Sequence, residues 1–175
     1  MMNTLVLVVL RFLHIVGGAL WIGVVVFFRF FLQPSIEAIG PESQKFGQAL
    51  NRNNRFSRFM GAITLLNILS GFVLFYLTSG GLKWAWITSG PGIGFSLGAL
   101  AGIGAFFIGG FSMRKTSSQL RAASEQLAAQ GDLPSPDLAN QTASLQKTLH
   151  FYETLDFWLL AAAMLTMATA RYWNF

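Results

Sequence analysis

Apolar residues run almost without interruption through four stretches of the chain, at roughly 4–32, 59–78, 93–111 and 157–173. Charged and turn-forming residues gather between them. Each stretch is close to the ~20 apolar residues that a helix needs to cross ~30 Å of hydrocarbon. The pattern predicts an all-α fold: a four-transmembrane-helix bundle forming a single integral membrane domain over residues 1–175, with polar segments at 33–58 and 112–156.

The first stretch has no basic leader, carries Arg11 and His14 within it, and continues well past the ~7–15 apolar residues of a cleavable signal, so it reads as a retained helix. Residues 33–54, opened by Pro34 and interrupted by Gly40-Pro41, read as a loop followed by a short amphipathic helix on the membrane surface. Residues 112–130, rich in Ala, Leu, Gln and Arg, should continue the third helix out of the membrane until Gly131 stops it. The turn Leu133-Pro134-Ser135-Pro136-Asp137 then offers Ser135 as N-cap and Pro136 as first residue of the fourth helix. Helices three and four are thereby expected to project as a hairpin.

Composition agrees, because 53% of the residues are hydrophobic and 11% are charged, too few charges to solvate a soluble domain. The charges also orient the bundle. Arg29, Lys45, Arg52, Arg55, Arg58, Arg114, Lys115, Arg121 and Lys147 fall on the face that carries 33–58 and 112–156, whereas Lys83, Arg171 and Arg11 lie toward the other. The positive-inside rule therefore makes 33–58 and 112–156 cytoplasmic and puts both termini outside, which in a bacterium means an inner-membrane protein with periplasmic ends. Basic residues at the ends of apolar runs act as membrane anchors, so the lipid bilayer, and no nucleic acid, is the partner they imply. The absence of cysteine excludes disulfides, thiolate metal sites and iron–sulfur clusters.

Ionisable side chains within a span are costly and mark functional positions. Arg11, His14, Gly18 and Trp21 share one stripe of the first helix, and Glu153, Asp156, Leu160, Met164, Met167 and Arg171 share one of the fourth. Both stripes should face the bundle interior. At ~1.5 Å per residue His14 lies about 15 Å from the periplasmic boundary, level with Ala163 and Met164, while His150 lies about 20 Å farther toward the cytoplasm. The two histidines of one subunit therefore cannot share a metal.

His14 admits three readings: a structural hydrogen bond to a neighbouring helix, an axial bond to haem b, or a copper bond shared with Met164 and Met167. Under the haem reading Arg11 and Arg171 pair with the propionates. Glu153 and Asp156 read as ion-pair partners of basic residues or as a proton relay. Gly94, Gly98 and Gly102 form a small-residue face suited to close helix packing or to a flat ligand lying against it. Trp84, Trp86 and Trp173 fit an interfacial aromatic belt.

The run Arg11-Phe12-Leu13-His14-Ile15-Val16-Gly17-Gly18-Ala19-Leu20-Trp21-Ile22-Gly23, followed by Phe27-Phe28 and Pro34, resembles the first span of the CopD-like and HemJ-like superfamily of small bacterial membrane proteins. The closing residues Asp156-Phe157-Trp158-Leu159-Leu160, Met167-Ala168 and Ala170-Arg171-Tyr172 are similar to the last helix of that group, and the two regions cover about a third of the chain. The resemblance implies that His14 is the superfamily's first-helix histidine. It implies either copper uptake and resistance, as in CopD-like members, or haem b and protoporphyrinogen oxidation, as in HemJ-like ones. HemJ-like proteins depend on a lysine within a span, and no span interior here contains one, which disfavours the oxidase activity.

The expected function is thus a haem-b-binding, cytochrome b-like membrane protein in electron transfer or in a membrane redox complex, as a homodimer or beside other subunits. Its candidate cofactor residues are His14, Met164, Met167, Arg11, Arg171, Trp21 and Gly98. The alternatives are a copper protein using His14, Met164 and Met167, and a structural subunit without cofactor. No nucleophile with a base and no phosphate loop argues for a hydrolase or transferase.

Overall fold

A computed structural model describes residues 4–39, 55–130 and 135–175. Every element among them is helical. In chain order these are α1 (Thr4–Phe27), a π-helical turn (Phe28–Leu32), α2 (Gln33–Ile39), α3 (Arg55–Thr78), the single turn α4 (Trp84–Ile87) and α5 (Gly90–Phe107). A second π-helical turn (Ile108–Met113), α6 (Arg114–Ala129), α7 (Pro136–Thr169) and a closing 3-10 turn (Ala170–Tyr172) follow.

Three continuous helices are long and apolar enough to cross a membrane: Thr4–Ile36, Arg55–Thr78 and Gly90–Leu127, of 33, 24 and 38 residues. Only 11%, 11% and 22% of their most apolar windows are buried within the protein. A water-soluble bundle turns such a face inward; these helices leave most of it outside, as multi-pass membrane proteins do.

Pro34 does not end the first helix, which continues through Gln33–Ile39. Proline normally breaks a helix by removing one N–H and crowding the carbonyl four residues earlier. Here a π turn immediately precedes it, with the Gln33 N–H reaching back five residues to the Phe28 carbonyl. The widened turn relieves that crowding, and Ser35 Oγ donates to the Phe31 carbonyl at 2.7 Å. The expected loop at 33 is therefore helix as far as Ile39. Gly40, Pro41 and the amphipathic helix expected before Asn54 lie outside the described residues, as do Lys45, Arg52 and Gly131. The α6 helix closes at Ala129, and α7 begins at Pro136 as the sequence predicts, with the Ser135 carbonyl accepting from Ala139 N–H at 3.1 Å.

Two compact units make up the chain, Met1–Ile103 with Leu160–Phe175, and Gly104–Leu159. In the first, α1 and α3 pack antiparallel. Gly17 of α1 lies against Asn67 and Ile63 of α3, and Gly71 of α3 lies against His14 of α1. The turn after α3 is left-handed at Gly80, Gly81 and Leu82 (φ 67°, 84° and 64°). It is held by the fully buried Ser79, whose Oγ donates to the Tyr76 carbonyl and accepts from Leu82 N–H. That pair of bonds offsets the strain of a branched residue at positive φ. Trp86 then stacks on Phe95 and meets Phe75 edge-on.

The beginning of α5 packs on the end of α7. A Cβ at Gly94 would lie 2.8 Å from Ala170 Cβ and 3.0 Å from Ala170 Cα, while a Cβ at Gly102 would meet nothing within 4 Å. Gly94→Leu is therefore expected to cost about 1–3 kcal/mol through overpacking against backbone that cannot yield. Thermal unfolding in detergent should show this loss, with Gly102→Ala close to the parent.

In the second unit, a Cβ at Gly104 would come within 3.5 Å of Leu159 Cδ1, and the π turn brings Gly109 opposite Asp156. Arg121 and Glu125 pair along exposed α6 at 2.8 Å, an i,i+4 contact worth only a few tenths of a kcal/mol.

Candidate functional site

A polar cluster lies between α1 and α3. His14 Nδ1 is 3.0 Å from the backbone carbonyl of Asn67 and 3.5 Å from Ser70 Oγ. A carbonyl oxygen only accepts, so Nδ1 carries the proton and donates. Ser70 Oγ donates its own proton toward the Leu66 carbonyl at 2.7 Å and the Asn67 carbonyl at 3.0 Å, leaving a lone pair for the imidazole. The Asn67 side chain returns the contact, its Nδ2 donating to the His14 carbonyl at 2.6 Å.

The sequence folds this way for steric reasons. Gly17 and Gly18 remove side chains where the Asn67 amide lies, 3.4 Å and 3.1 Å from where their Cβ atoms would be. Gly71 does the same for the imidazole, since a Cβ there would stand 2.8 Å from His14 Cε1 and 3.2 Å from Nδ1. The ring is therefore clamped flat against α3 by Gly71, with its Nδ1 edge tied to Asn67 and Ser70. The donor role of Nδ1 is thereby fixed, which in the neutral ring leaves the lone pair on Nε2. Among the described residues Nε2 takes no hydrogen bond.

The rest of the first stripe separates by depth. Trp21 is buried, whereas Arg11 is exposed and so does not face inward as expected. On α7 and the turn after it the inward positions are Asp156, Leu160, Ala163, Met167 and Ala170, so the expected stripe holds at Asp156, Leu160 and Met167, while Ala163 and Ala170 take the places expected of Met164 and Arg171. Met167 packs against Gly98, where a Cβ would be 2.5 Å from its Cγ, so these two candidates are brought together as a helix contact. Met164 is 57% exposed and Arg171 is exposed. The bonds of His14 run to α3, while Met167 packs on α5. Among the described residues no group of three or more His, Cys, Asp or Glu side chains is placed to hold a metal ion.

Asn67, Ser70 and Gly71 were not anticipated. Asn67 is 8% exposed in the middle of an apolar run, and an amide there is a signal of the same kind as an ionisable group, since burying it without a partner is costly. Asn67→Ala removes an interhelical hydrogen bond of the sort worth about 1–2 kcal/mol within a membrane. The expected result is a lower unfolding temperature in detergent, with Ser70→Ala, whose hydroxyl is bonded mainly to its own helix, costing less.

The helical fold, with its three helices able to cross a membrane and a clamped histidine within the first, defines the class of this chain as far as geometry does. No family model matches the chain, and neither a curated protein nor a solved structure matches it.

Proposed function

We propose that this chain is a haem-b-binding integral membrane protein of the cytochrome b type, acting in electron transfer or as a small subunit of a membrane redox complex, in which His14 would hold the haem through Nε2. One observation carries the reading. Imidazoles that ligate metals donate their other ring N–H to a carbonyl or carboxylate, which fixes tautomer and orientation and raises the basicity of the donor nitrogen. Nδ1–H on the Asn67 carbonyl is that arrangement, within an apolar helix where an open imidazole nitrogen is costly.

Bound there, haem b supplies one-electron exchange. The chain's residues position and tune it. Gly71 and Asn67 hold the imidazole plane, and Ser70 adds a second acceptor for Nδ1–H. Arg11, one turn before His14, and Arg171 in the closing 3-10 turn are both exposed, and their guanidinium groups would suit propionates. Met167, the inward-facing thioether of α7, is the sulfur donor that this reading favours over exposed Met164. A methionine partner raises the reduction potential.

The same reading makes α7 a fourth span, through 157–173, and the protein a resident of the bacterial inner membrane with both termini periplasmic. Helix lengths support this. Gly90–Leu127 would reach about 57 Å and Pro136–Thr169 about 51 Å, well beyond the ~30 Å of hydrocarbon, so both extend into the cytoplasm as a hairpin. Trp84, 76% exposed, fits the opposite interface.

Haem and metal analysis of the chain purified from its membrane tests the proposal. Co-purifying haem b supports it. Stoichiometric copper that disappears with Met164→Leu and Met167→Leu would instead make it a copper protein. Neither haem nor metal in a folded, saturated preparation would leave a structural subunit.

A further inference from the structure

Asp156 stands just before the apolar run 157–173, on the inward stripe of α7, and is 4% exposed. Its Oδ1 is buried with no hydrogen-bond partner among the described residues. The facing segment is the π turn Ile108–Met113, where Gly109 leaves only a hydrogen in the direction of the carboxyl, and a Cβ would sit 3.9 Å from Oδ1. π turns interrupt a helix at a cost and recur at functional positions.

Among the described residues no ion pair reaches the group. The helix that faces it, Gly90–Phe107 with its π turn, contains no titratable residue, and Arg114 and Lys115 come only after that turn. On α7 itself, Glu153 lies one turn earlier and is engaged, with His150 Nδ1 3.9 Å from its Oε2; Tyr152 adds a phenol nearby in sequence. An ionised carboxylate shut away from water without a partner is among the costliest arrangements a fold can hold, whereas the neutral acid is tolerated. Burial pushes the Asp156 carboxyl up from 3.8 to about 7. A cation is a poorer occupant, because no set of three His, Cys, Asp or Glu side chains gathers among the described residues.

We propose that Asp156 is a proton-binding site, its buried carboxyl held as the neutral acid against the Gly109 π turn and able to take up and release its proton. It stands apart from the haem reading, which neither supports it nor depends on it. The consequence for stability has a definite sign. The folded state holds the proton more tightly than the unfolded chain, so the stabilisation is complete below pH 3.8, fades as pH rises, and is gone once pH passes about 7.

Dicyclohexylcarbodiimide, an apolar reagent that adds to protonated carboxyls, reads the site directly in the full chain in detergent. Mass spectrometry should place its adduct on Asp156 at pH 6, in excess over the exposed Asp137 of the same helix. Yield should fall by about tenfold per pH unit well above 7, and the adduct should vanish in Asp156→Asn. Equal or lower yield at Asp156 than at Asp137 at pH 6, or a yield independent of pH, overturns the proposal. Thermal unfolding provides a second arm. Asp156→Asn should gain on the parent progressively between pH 4 and 7 and keep a constant margin above, and a margin that does not change with pH also overturns it.

Discussion

If the chain holds haem b through His14 as proposed, replacing His14 with Ala is expected to abolish the haem absorbance of the purified protein while leaving a folded helical chain. The imidazole supplies the only Nε2 within the first span, and its loss also frees the Asn67 carbonyl that had received Nδ1–H. The carbonyl remains bonded to Ser70 Oγ at 3.0 Å, so the fold keeps its local partner and the effect falls on the ligand. Adding free imidazole to His14→Ala should restore part of the absorbance, because the missing side chain leaves room for it beside Gly71. Absorbance that survives in the variant at the parental level would remove His14 from any ligand role.

The second large effect is expected at Gly71. A Cβ at this position stands 2.8 Å from His14 Cε1, closer than atoms tolerate, so Gly71→Val must push the ring away from α3 and stretch or break the bond to the Asn67 carbonyl. A small displacement of Nε2 would be enough to weaken its hold on a haem, since such sites require placement within about 0.5 Å. Haem content should fall several-fold and the reduction potential of what remains should move, whereas Asn67→Ala, which leaves the backbone carbonyl in place, should lower stability more than haem content. A merely structural His14 would show neither a spectral change nor a shift in potential. Unchanged spectrum and potential in a folded Gly71→Val would therefore contradict a ligand role transmitted through this clamp.

Part of this arrangement is legible in the sequence. The spacing Arg11, His14, Gly18, Trp21 predicts one inward-facing stripe, and the structure has His14 bonded inward and Trp21 buried but leaves Arg11 exposed. The start of α7 at Pro136 is equally readable, because serine followed by proline and aspartate marks a helix N-terminus. What faces His14 is not readable from charge, because its partners are an amide, a hydroxyl and a missing side chain. Asn67 and Gly71 become meaningful only when α3 is set antiparallel to α1.

Two other misreadings have different causes, hydrogen-bond register in the first helix and the placement of small residues in the last. A π turn adds a residue to a helix without changing its composition, so Phe28–Leu32 leaves no mark that would rescue Pro34 from its usual meaning as a helix breaker. On α7, Met164 and Met167 are close enough in spacing to share a face. The inner edge is nonetheless set by the small residues Ala163 and Ala170 together with Gly94 and Gly98 opposite, which admits Met167 and leaves Met164 outside. Periodicity locates a face to within about one residue, and here that residue separates a packed thioether from an exposed one.

The most direct measurement is a reduced-minus-oxidised optical spectrum of the wild-type chain, expressed with ample haem supply and purified in mild detergent. Axial ligation by His14 requires a Soret band that shifts on reduction together with the sharp visible bands of a ferrous b-type haem, at a stoichiometry tied to the chain. A helical, monodisperse preparation that shows no such bands, even after incubation with haemin, would contradict it.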